Sequence, residues 1–374
     1  MDFELNDEQQ LLRDTTRDLL ARAYDPEKRN KVIATDLGWS KDVWSQLAEV
    51  GLLGLPFAED DGGMGAGPVE TMAVLVEVGR RLAPEPILDS ALLPGSIIAD
   101  AGTEAQRREL LPRVADGSLL LAFAHAEPGV RWPSSELQTT ASMNGAGWTL
   151  NGRKNPVLRG DCAGKFIVSA AADGGTGLFL VEADATGVSR RSYETHDGGR
   201  AAQLDFADVP AEQLGDVADA SAHLAAAIVR GQVALCAEAL GAMEESLRLT
   251  TEYLKTRKQF GVPLAKFQTL TQRAADMYVS LELARSMMLY ATMMLAEGQA
   301  DATVASRAKL QVGRSARHIG QESIQMHGGI GMTAEYPVGH YVSRLTAIEH
   351  TFGDSADHLR QLAANVADYE MVEL

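Results

Sequence analysis

The sequence predicts an α+β chain of three successive parts: a helical N-terminal domain over residues 1–117, a β domain over 118–215 and a four-helix bundle over 216–374. Three observations predict this order. Apolar residues recur at helical spacing up to Gly117. Short β-like runs punctuated by Gly, Asn and Asp then follow. From Ser221 the helical period returns and stays to the end.

In the first part, Asn6 with Gln9 three residues on predicts a capped helix start, followed by Leu11, Leu12, Leu19 and Leu20 on the helix. Ser40 predicts the cap of a second helix, with Val43, Leu47 and Val50 as one apolar stripe. The run DDGGMGAG (60–67) predicts a loop, and Pro68 suits the first turn of the next helix. Pro84 and Pro86 end that helix, and another runs from Glu104 to Ala115.

Strands are predicted at Leu119–Ala126, Leu137–Met143, Trp148–Leu150, Phe166–Ala171, Gly177–Val181 and Ala202–Phe206. Gly145–Ala146–Gly147 and Asp173–Gly174–Gly175 are read as hairpin turns. Six or seven short strands at this spacing predict a small closed or sandwich-like β domain. The bundle opens with a helix from Ser221 to Arg257, roughly 50 Å long at 1.5 Å per residue. Its first half is apolar nearly all round (Leu224, Ile228, Val229, Val233, Leu235, Leu240), which predicts surplus surface for contact with another chain. A second helix carries Leu270, Ala274, Met277, Leu281, Ala284 and Met288. A third carries Val304, Ala308, Val312, Ala316 and Ile319, and a fourth follows Asp354. Met287, Met288, Met293 and Met294 are read as core filling.

Composition excludes several functions. A net charge of −17 repels phosphate backbones, so no nucleic-acid partner is expected. The acidic start MDFELNDEQQ lacks the basic and apolar regions of a secretory signal. No apolar run is read as approaching the roughly 18 residues of a spanning helix. Cys162 and Cys236 stand far apart with no CxxC pair, so neither metal nor disulfide is expected. Together these predict a cytoplasmic chain with no membrane partner.

Three stretches carry the chemistry: YLKTRKQFGVPLAKFQ (253–268), QMHGGIGMTAEYP (325–337) and WTLNGRK (148–154). Arg257 closes the long helix, where a guanidinium complements the dipole and can hold a diphosphate. Gly328, Gly329 and Gly331 let a backbone approach a ligand closely. Read alone, these residues are more simply an Arg at a helix end and a Gly-rich turn. The three stretches resemble the signatures of acyl-CoA dehydrogenases, in register and in the same domain order, over essentially the whole chain. The resemblance implies FAD as cofactor, an acyl-CoA substrate, electron-transfer flavoprotein as acceptor, and a homo- or hetero-tetramer with another dehydrogenase-like subunit. It implies that Arg257, Phe260, Gln268, Gln325, Gly328 and Gly329 contact the ADP half of an FAD bound mainly by the adjacent subunit.

Desaturation of an acyl thioester needs a carboxylate for the α-proton. The resemblance puts it just before a Gly ahead of the last helix, where this chain has Phe352, or on the first long bundle helix, where it has Gly231 followed by Gln232. Neither Phe nor Gly accepts a proton. After Lys154 the resembled family offers a Trp face and a Thr hydroxyl to the flavin ring; here Asn155, Pro156, Val157 and Leu158 follow. The strand motif is reduced to Ala126, Glu127, Pro128, Gly129, Val130, Arg131 and Trp132. Asp354 is the fallback base, with an N-cap as its plainer reading. Glu349 is read as a solvated or ion-paired carboxylate, Glu238 as a buried partner for Arg230 or Arg257, and His125 as a core histidine. Three readings follow: a subunit of a heteromeric dehydrogenase, a self-sufficient enzyme with an unexpected base, or a non-catalytic structural or regulatory paralogue.

Overall fold

The computed structural model describes residues 5–130, 132, 136–145, 147–364 and 366. Arg131 and Ala146, named above, lie outside them. The chain separates into two compact units: Met1–Pro26, Met72–Ala83 and Gln232–Leu374 form one, and Glu27–Thr71 with Pro84–Gly231 the other.

Helices open the chain: α1 (Asp7–Ala23), α2 (Pro26–Ile33), α3 (Lys41–Glu49), α4 (Pro68–Arg81), α5 (Leu93–Ala101) and α6 (Glu104–Ala115). The Asn6–Gln9 capping box forms as the spacing predicts. Ser40 caps α3 through the Val43 N–H at 3.3 Å. Leu11 departs from its expected stripe and is 68% exposed. Two helices were not legible. The charged α2 has no apolar stripe, with Arg29 as its buried residue. Beyond Pro86, a π-helical turn (Ile87–Leu92) leads straight into α5, which is buried nearly throughout and so shows no period.

The β domain comprises β1 (Leu121–Ala124), β2 (Thr140–Asn144), β3 (Gly147–Leu158), β4 (Lys165–Ala172), β5 (Gly175–Glu182), β6 (Val188–Glu194) and β7 (Arg200–Gln213). Strands run in the order β1-β4-β2-β3-β7-β5, and β5 also pairs with β4, so the sheet closes; β6 pairs with β7. Closure leaves no free edge along that ring. Phe166, Val168, Phe179, Val181, Leu204 and Phe206 fill the interior. The mostly exposed β6 carried no alternating apolar signal. Gly152 lets β3 pass close to Thr139: a Cβ there would stand 2.7 Å from the Thr139 Cα. The register of β3 on β7 shifts twice, once on each side of Arg153–Lys154.

The C-terminal part contains α7 (Ser221–Thr256), a two-stranded hairpin of β8 (Lys258–Gln259) and β9 (Val262–Pro263), α8 (Gln268–Ala296), α9 (Ala302–His327), α10 (Val338–His350) and α11 (Ser355–Ala364). α10 is a further helix beyond the four expected. In the first unit, α4 and α7 touch backbone to backbone. A Cβ on Gly79 would lie 1.8 Å from the Glu238 carbonyl oxygen, and one on Gly241 1.8 Å from that of Val76.

From Val233 to Leu247 nearly every residue of α7 is buried inside the chain itself, so that stretch is core, whereas Leu224 and Ile228 nearer the helix start are half-buried. By length and composition α7 also passes as a membrane-crossing helix, contrary to the reading above. Of its most apolar 18-residue window, however, 67% is buried in the protein, as in a core helix. Exposed apolar side chains lie elsewhere: Tyr278, Val279 and Leu283 on α8, Phe260 on the hairpin, and Met332. Met288 is core as expected, whereas Met287, Met293 and Met294 are half-buried.

Candidate functional site

The sequence-selected residues fall into three places. The first is the end of the bundle where α7 and α9 finish together. Thr250 on α7 donates to Ser323 on α9 at 3.1 Å, and the rings of Tyr253 and His327 meet at 4.5 Å. His327 is buried; its Nδ1–H donates to the Ser323 carbonyl at 2.7 Å, leaving Nε2 among the rings of Tyr253 and Tyr336. Burial lowers its pKa, against the carbonyl bond, which favours the protonated form.

Arg257 follows directly on α7. Its N–H donates to the Tyr253 carbonyl and its own carbonyl accepts from Leu264, both at 2.8 Å, which pins the hairpin base. Phe260 takes a positive φ of 55° at the hairpin tip and is 92% exposed, edge-on to Phe267. Gln268 is exposed as the first residue of α8, and Gln325 is exposed on the last turn of α9. Gly328 ends α9 with φ 65°, and neither Gly328 nor Gly329 has any atom within 4 Å of where a Cβ would stand. An exposed guanidinium, an exposed aromatic ring and an open glycine backbone on neighbouring turns fit the phosphates and nucleoside of an ADP moiety.

The second place is the interior of the β domain. Lys154 on β3 is fully buried, and its Nζ donates to Glu127 Oε1 at 2.7 Å, the His125 carbonyl at 3.1 Å and Ser169 Oγ at 3.3 Å. Glu127 also accepts from the N–H groups of Gln138 (2.7 Å) and Thr139 (2.9 Å). Burial alone would raise the Glu127 pKa, but the Lys154 ammonium and these bonds outweigh it and bring it down to about 2. Burial lowers Lys154 to about 8 against the pull of Glu127. His125 is a core histidine, as expected: its Nδ1 lies 2.9 Å from Ser169 Oγ, its ring stacks on Phe123, and burial lowers its pKa to about 4. Beyond Lys154, the buried Val157 belongs to the barrel core and Pro156 is exposed. This segment offers a flavin ring neither a hydroxyl nor an aromatic face, so its residues do not fit that end of the cofactor.

The third place is the turn between α10 and α11. Phe352 adopts a positive φ of 55°, and its carbonyl accepts from Gln232 Nε2 at 3.0 Å and His358 Nε2 at 3.1 Å. Buried Lys309 caps the end of α10 through the Ile348 carbonyl at 2.6 Å. Burial lowers the pKa of His358 to about 4, with the Lys309 charge acting in the same direction. Gly231 is buried on α7. The sequence pointed to Phe352 and Gly231 but not to the clamp of Gln232, Lys309 and His358, whose members are far apart in the chain and share no motif.

Asp354 is the N-cap of α11: its Oδ1 accepts from the Asp357 N–H at 2.8 Å, and its own N–H donates to Asp357 Oδ2 at 3.2 Å. Glu349 is buried, accepting from the Ser355 N–H at 3.0 Å with Arg317 at 3.5 Å. The expected partners of Glu238 are corrected. It holds Arg344 through two bonds of 2.6 and 2.8 Å, while Arg230 pairs with Asp100 and Arg257 stays exposed. Among the described residues, no group of His, Cys, Asp and Glu is arranged to hold a metal ion.

Helical, β-barrel and bundle parts in this order define the class of fold, and sequence comparison identifies the family. The N-terminal, middle and C-terminal domain models of acyl-CoA dehydrogenases match residues 6–118, 122–209 and 224–367. The chain belongs to the acyl-CoA dehydrogenase family, a flavin-dependent family. It is 30% identical over 355 residues to the short-chain specific acyl-CoA dehydrogenase of Clostridium acetobutylicum, covering 90% of this chain and 92% of that one. Among solved structures it resembles the Tcur3481–Tcur3483 steroid acyl-CoA dehydrogenase G363A variant, with a TM-score of 0.90 and 33% identity over 97% of this chain and 98% of that one. It also resembles the ChsE4–ChsE5 complex of Mycobacterium tuberculosis, with a TM-score of 0.92 and 26% identity over 99% of this chain and 100% of that one.

Proposed function

We propose that this chain is one subunit of a heteromeric acyl-CoA dehydrogenase that desaturates an acyl-CoA thioester between its α and β carbons. In this reading it lends its bundle end to the ADP half of an FAD whose reacting ring, with the catalytic glutamate, belongs to a partner subunit. One contrast carries the reading: the Arg257–Gly329 surface is open, while the base positions hold Phe352 and Gly231 and the segment after Lys154 has neither a hydroxyl nor an aromatic face for the ring. The two solved relatives with two-part names, Tcur3481–Tcur3483 and the ChsE4–ChsE5 complex, support it. Bound FAD supplies the acceptor for the β-hydride. This chain's residues bind: Arg257 holds the diphosphate, Gln325 and the Gly328–Gly329 backbone hold the nucleoside, and Phe260 shields it from water.

The remaining parts of the proposal follow the family resemblance. The assembly is a tetramer in the cytoplasm that passes electrons to electron-transfer flavoprotein. The acyl group is bulky or dicarboxylic, since stretches such as GLLGLPFAEDDGG (51–63) and VGHYVSRLTAIEHTFGD (338–354) resemble the small subunit of pimeloyl-CoA dehydrogenase. The test is co-expression with a dehydrogenase-like chain that carries the base. The expected complex holds one flavin per pair of chains, and Arg257→Ala lowers flavin retention by roughly 10- to 100-fold, the worth of one charge-assisted bond. Full flavin loading and turnover by this chain alone would refute the proposal.

A further inference from the structure

A groove between α9 and α10 encloses a cavity of about 370 Å³. Ala316, Val342 and Leu345 give it apolar walls, and Arg317, Gln321 and Glu349 its polar lining. Glu349 is poorly compensated for a buried carboxylate. Its side chain is 6% exposed, yet it takes one backbone N–H and one contact at 3.5 Å from Arg317, whose own side chain is 62% exposed. Its Oε2 has no hydrogen-bond partner among the described residues. The nearby Lys309 ammonium bonds the Ile348 and Glu349 backbone carbonyls and acts on the carboxylate only through space. A buried carboxylate in that state is costly unless a cation reaches it.

The position of the groove indicates where the cation comes from. Arg317, Gln321, Gln325 and Gly328 are exposed at successive helical intervals of α9 and form one ridge. Gln325 and Gly328 belong to the half-site for the partner's cofactor. Gln321 lies one turn from Gln325 and Arg317 two turns, roughly 6 and 12 Å along the axis. A chain that brings its FAD over the end of α9 therefore also covers the mouth of this groove.

Resting on the subunit reading above, we propose that the α9–α10 groove receives an arginine or lysine side chain of the partner dehydrogenase subunit, with Glu349 as its counter-ion. In the free chain Arg317 leans over the mouth as a weak stand-in, and it swings into solvent when the partner docks. The apolar walls take the methylene stem of the incoming side chain and keep water from the ion pair.

The test uses this chain co-expressed with a dehydrogenase-like chain of its own genome that carries the base glutamate, with subunit dissociation measured by sedimentation. Glu349→Gln keeps the acceptor for the Ser355 N–H and removes the charge. It weakens the complex at least about tenfold, as loss of one member of a buried interfacial charge pair does. Arg317→Ala leaves the complex as tight or tighter. Thr346→Trp, placed on the exposed lip, blocks the groove without touching Glu349 and weakens the complex as well. Thermal unfolding of each free variant checks that it folds.

A complex indifferent to both Glu349→Gln and Thr346→Trp overturns the inference, as does weakening by Arg317→Ala alone, which would mean an acidic partner group. If those results come while Arg257→Ala still lowers flavin retention, the subunit reading stands and the inference alone falls. If no complex forms at all, both fall.

Discussion

Replacing Glu127 by Gln tests what holds the barrel interior together. The exchange keeps size and hydrogen-bonding shape but removes the anion from a pair whose side chains are 0% (Lys154) and 1% (Glu127) exposed. Breaking a buried pair from one side costs about 3–5 kcal/mol, because the remaining charge is left uncompensated. Here Lys154 would keep the His125 carbonyl at 3.1 Å and Ser169 Oγ at 3.3 Å, so a loss near the lower end, about 3 kcal/mol, is expected. The pKa shifts give the pH dependence. Glu127 is depressed from 4.5 to about 2, so its stabilising contribution is full above pH 4.5 and lost as the pH falls from there towards 2. The variant lacks that acid limb. Lys154 already sits below its ordinary value, at about 8, and Glu127 holds it up. Without Glu127 it falls further, so the unfolded chain binds the proton where the folded one does not. The variant's stability should therefore rise with pH towards 10.5. Because the chain has more than one unit, the assay is native-state hydrogen exchange of the β3 and β7 amides rather than a single global midpoint. The double change Glu127→Leu with Lys154→Met should recover most of the loss. A single variant within about 0.5 kcal/mol of the parent, or a double variant no better than the single, would refute the reasoning.

Two further predictions concern the helical unit. Gly241→Ala would put a Cβ 1.8 Å from the Val76 carbonyl oxygen and 2.8 Å from the Arg80 nitrogen, both backbone atoms that cannot step aside. Overpacking of this kind should cost about 3 kcal/mol or more, read as a lower Tm. Asp354→Ala removes the α11 cap and should cost about 1 kcal/mol while leaving flavin retention of the co-expressed complex unchanged. Loss of activity beyond that stability change would instead make Asp354 a base.

Much of the fold was legible where a local rule decides the structure. The Asn6–Gln9 box, the Ser40 cap and Pro68 each set a helix start that the structure keeps. The losses have physical causes. β6 is an exposed strand laid on the outside of β7, so it never alternated. α5 is buried on all sides and carries no stripe. On α7 the apolar circumference has a cause within the chain: Gly79 and Gly241 let α4 come into backbone contact, which covers the helix around Glu238 and Gly241. At the candidate site, Arg257 and Gly328 carry a local signature at the ends of α7 and α9, whereas Gln325, inside the last turn of α9, was singled out by the family resemblance alone. Glu238 was misassigned because its partner, Arg344, lies 106 residues away and no local pattern links them.

The turn at Phe352 is held without help from the side chain at that position. Gln232 and His358 grip the Phe352 carbonyl, and Lys309 grips the Ile348 carbonyl; none of the three uses the side chain at 352. Asp354 then starts α11 with its own capping box. The conformation of the turn is therefore set by backbone bonds from three different helices, and a positive φ is held at a residue that is not glycine. In such a frame the side chain at 352 is free to vary without loss of the turn. On the proposed reading the Gly328–Gly329 turn has less freedom, because a Cβ at either residue would enter the open space that a cofactor meeting this backbone would need. Once a partner supplies the base, chemistry can leave Phe352 at little cost to folding, whereas the glycine turn is constrained for as long as a cofactor binds there. On the proposed reading, a Phe at 352 together with an open Gly328–Gly329 turn is what that difference in constraint would produce in a subunit that binds without reacting.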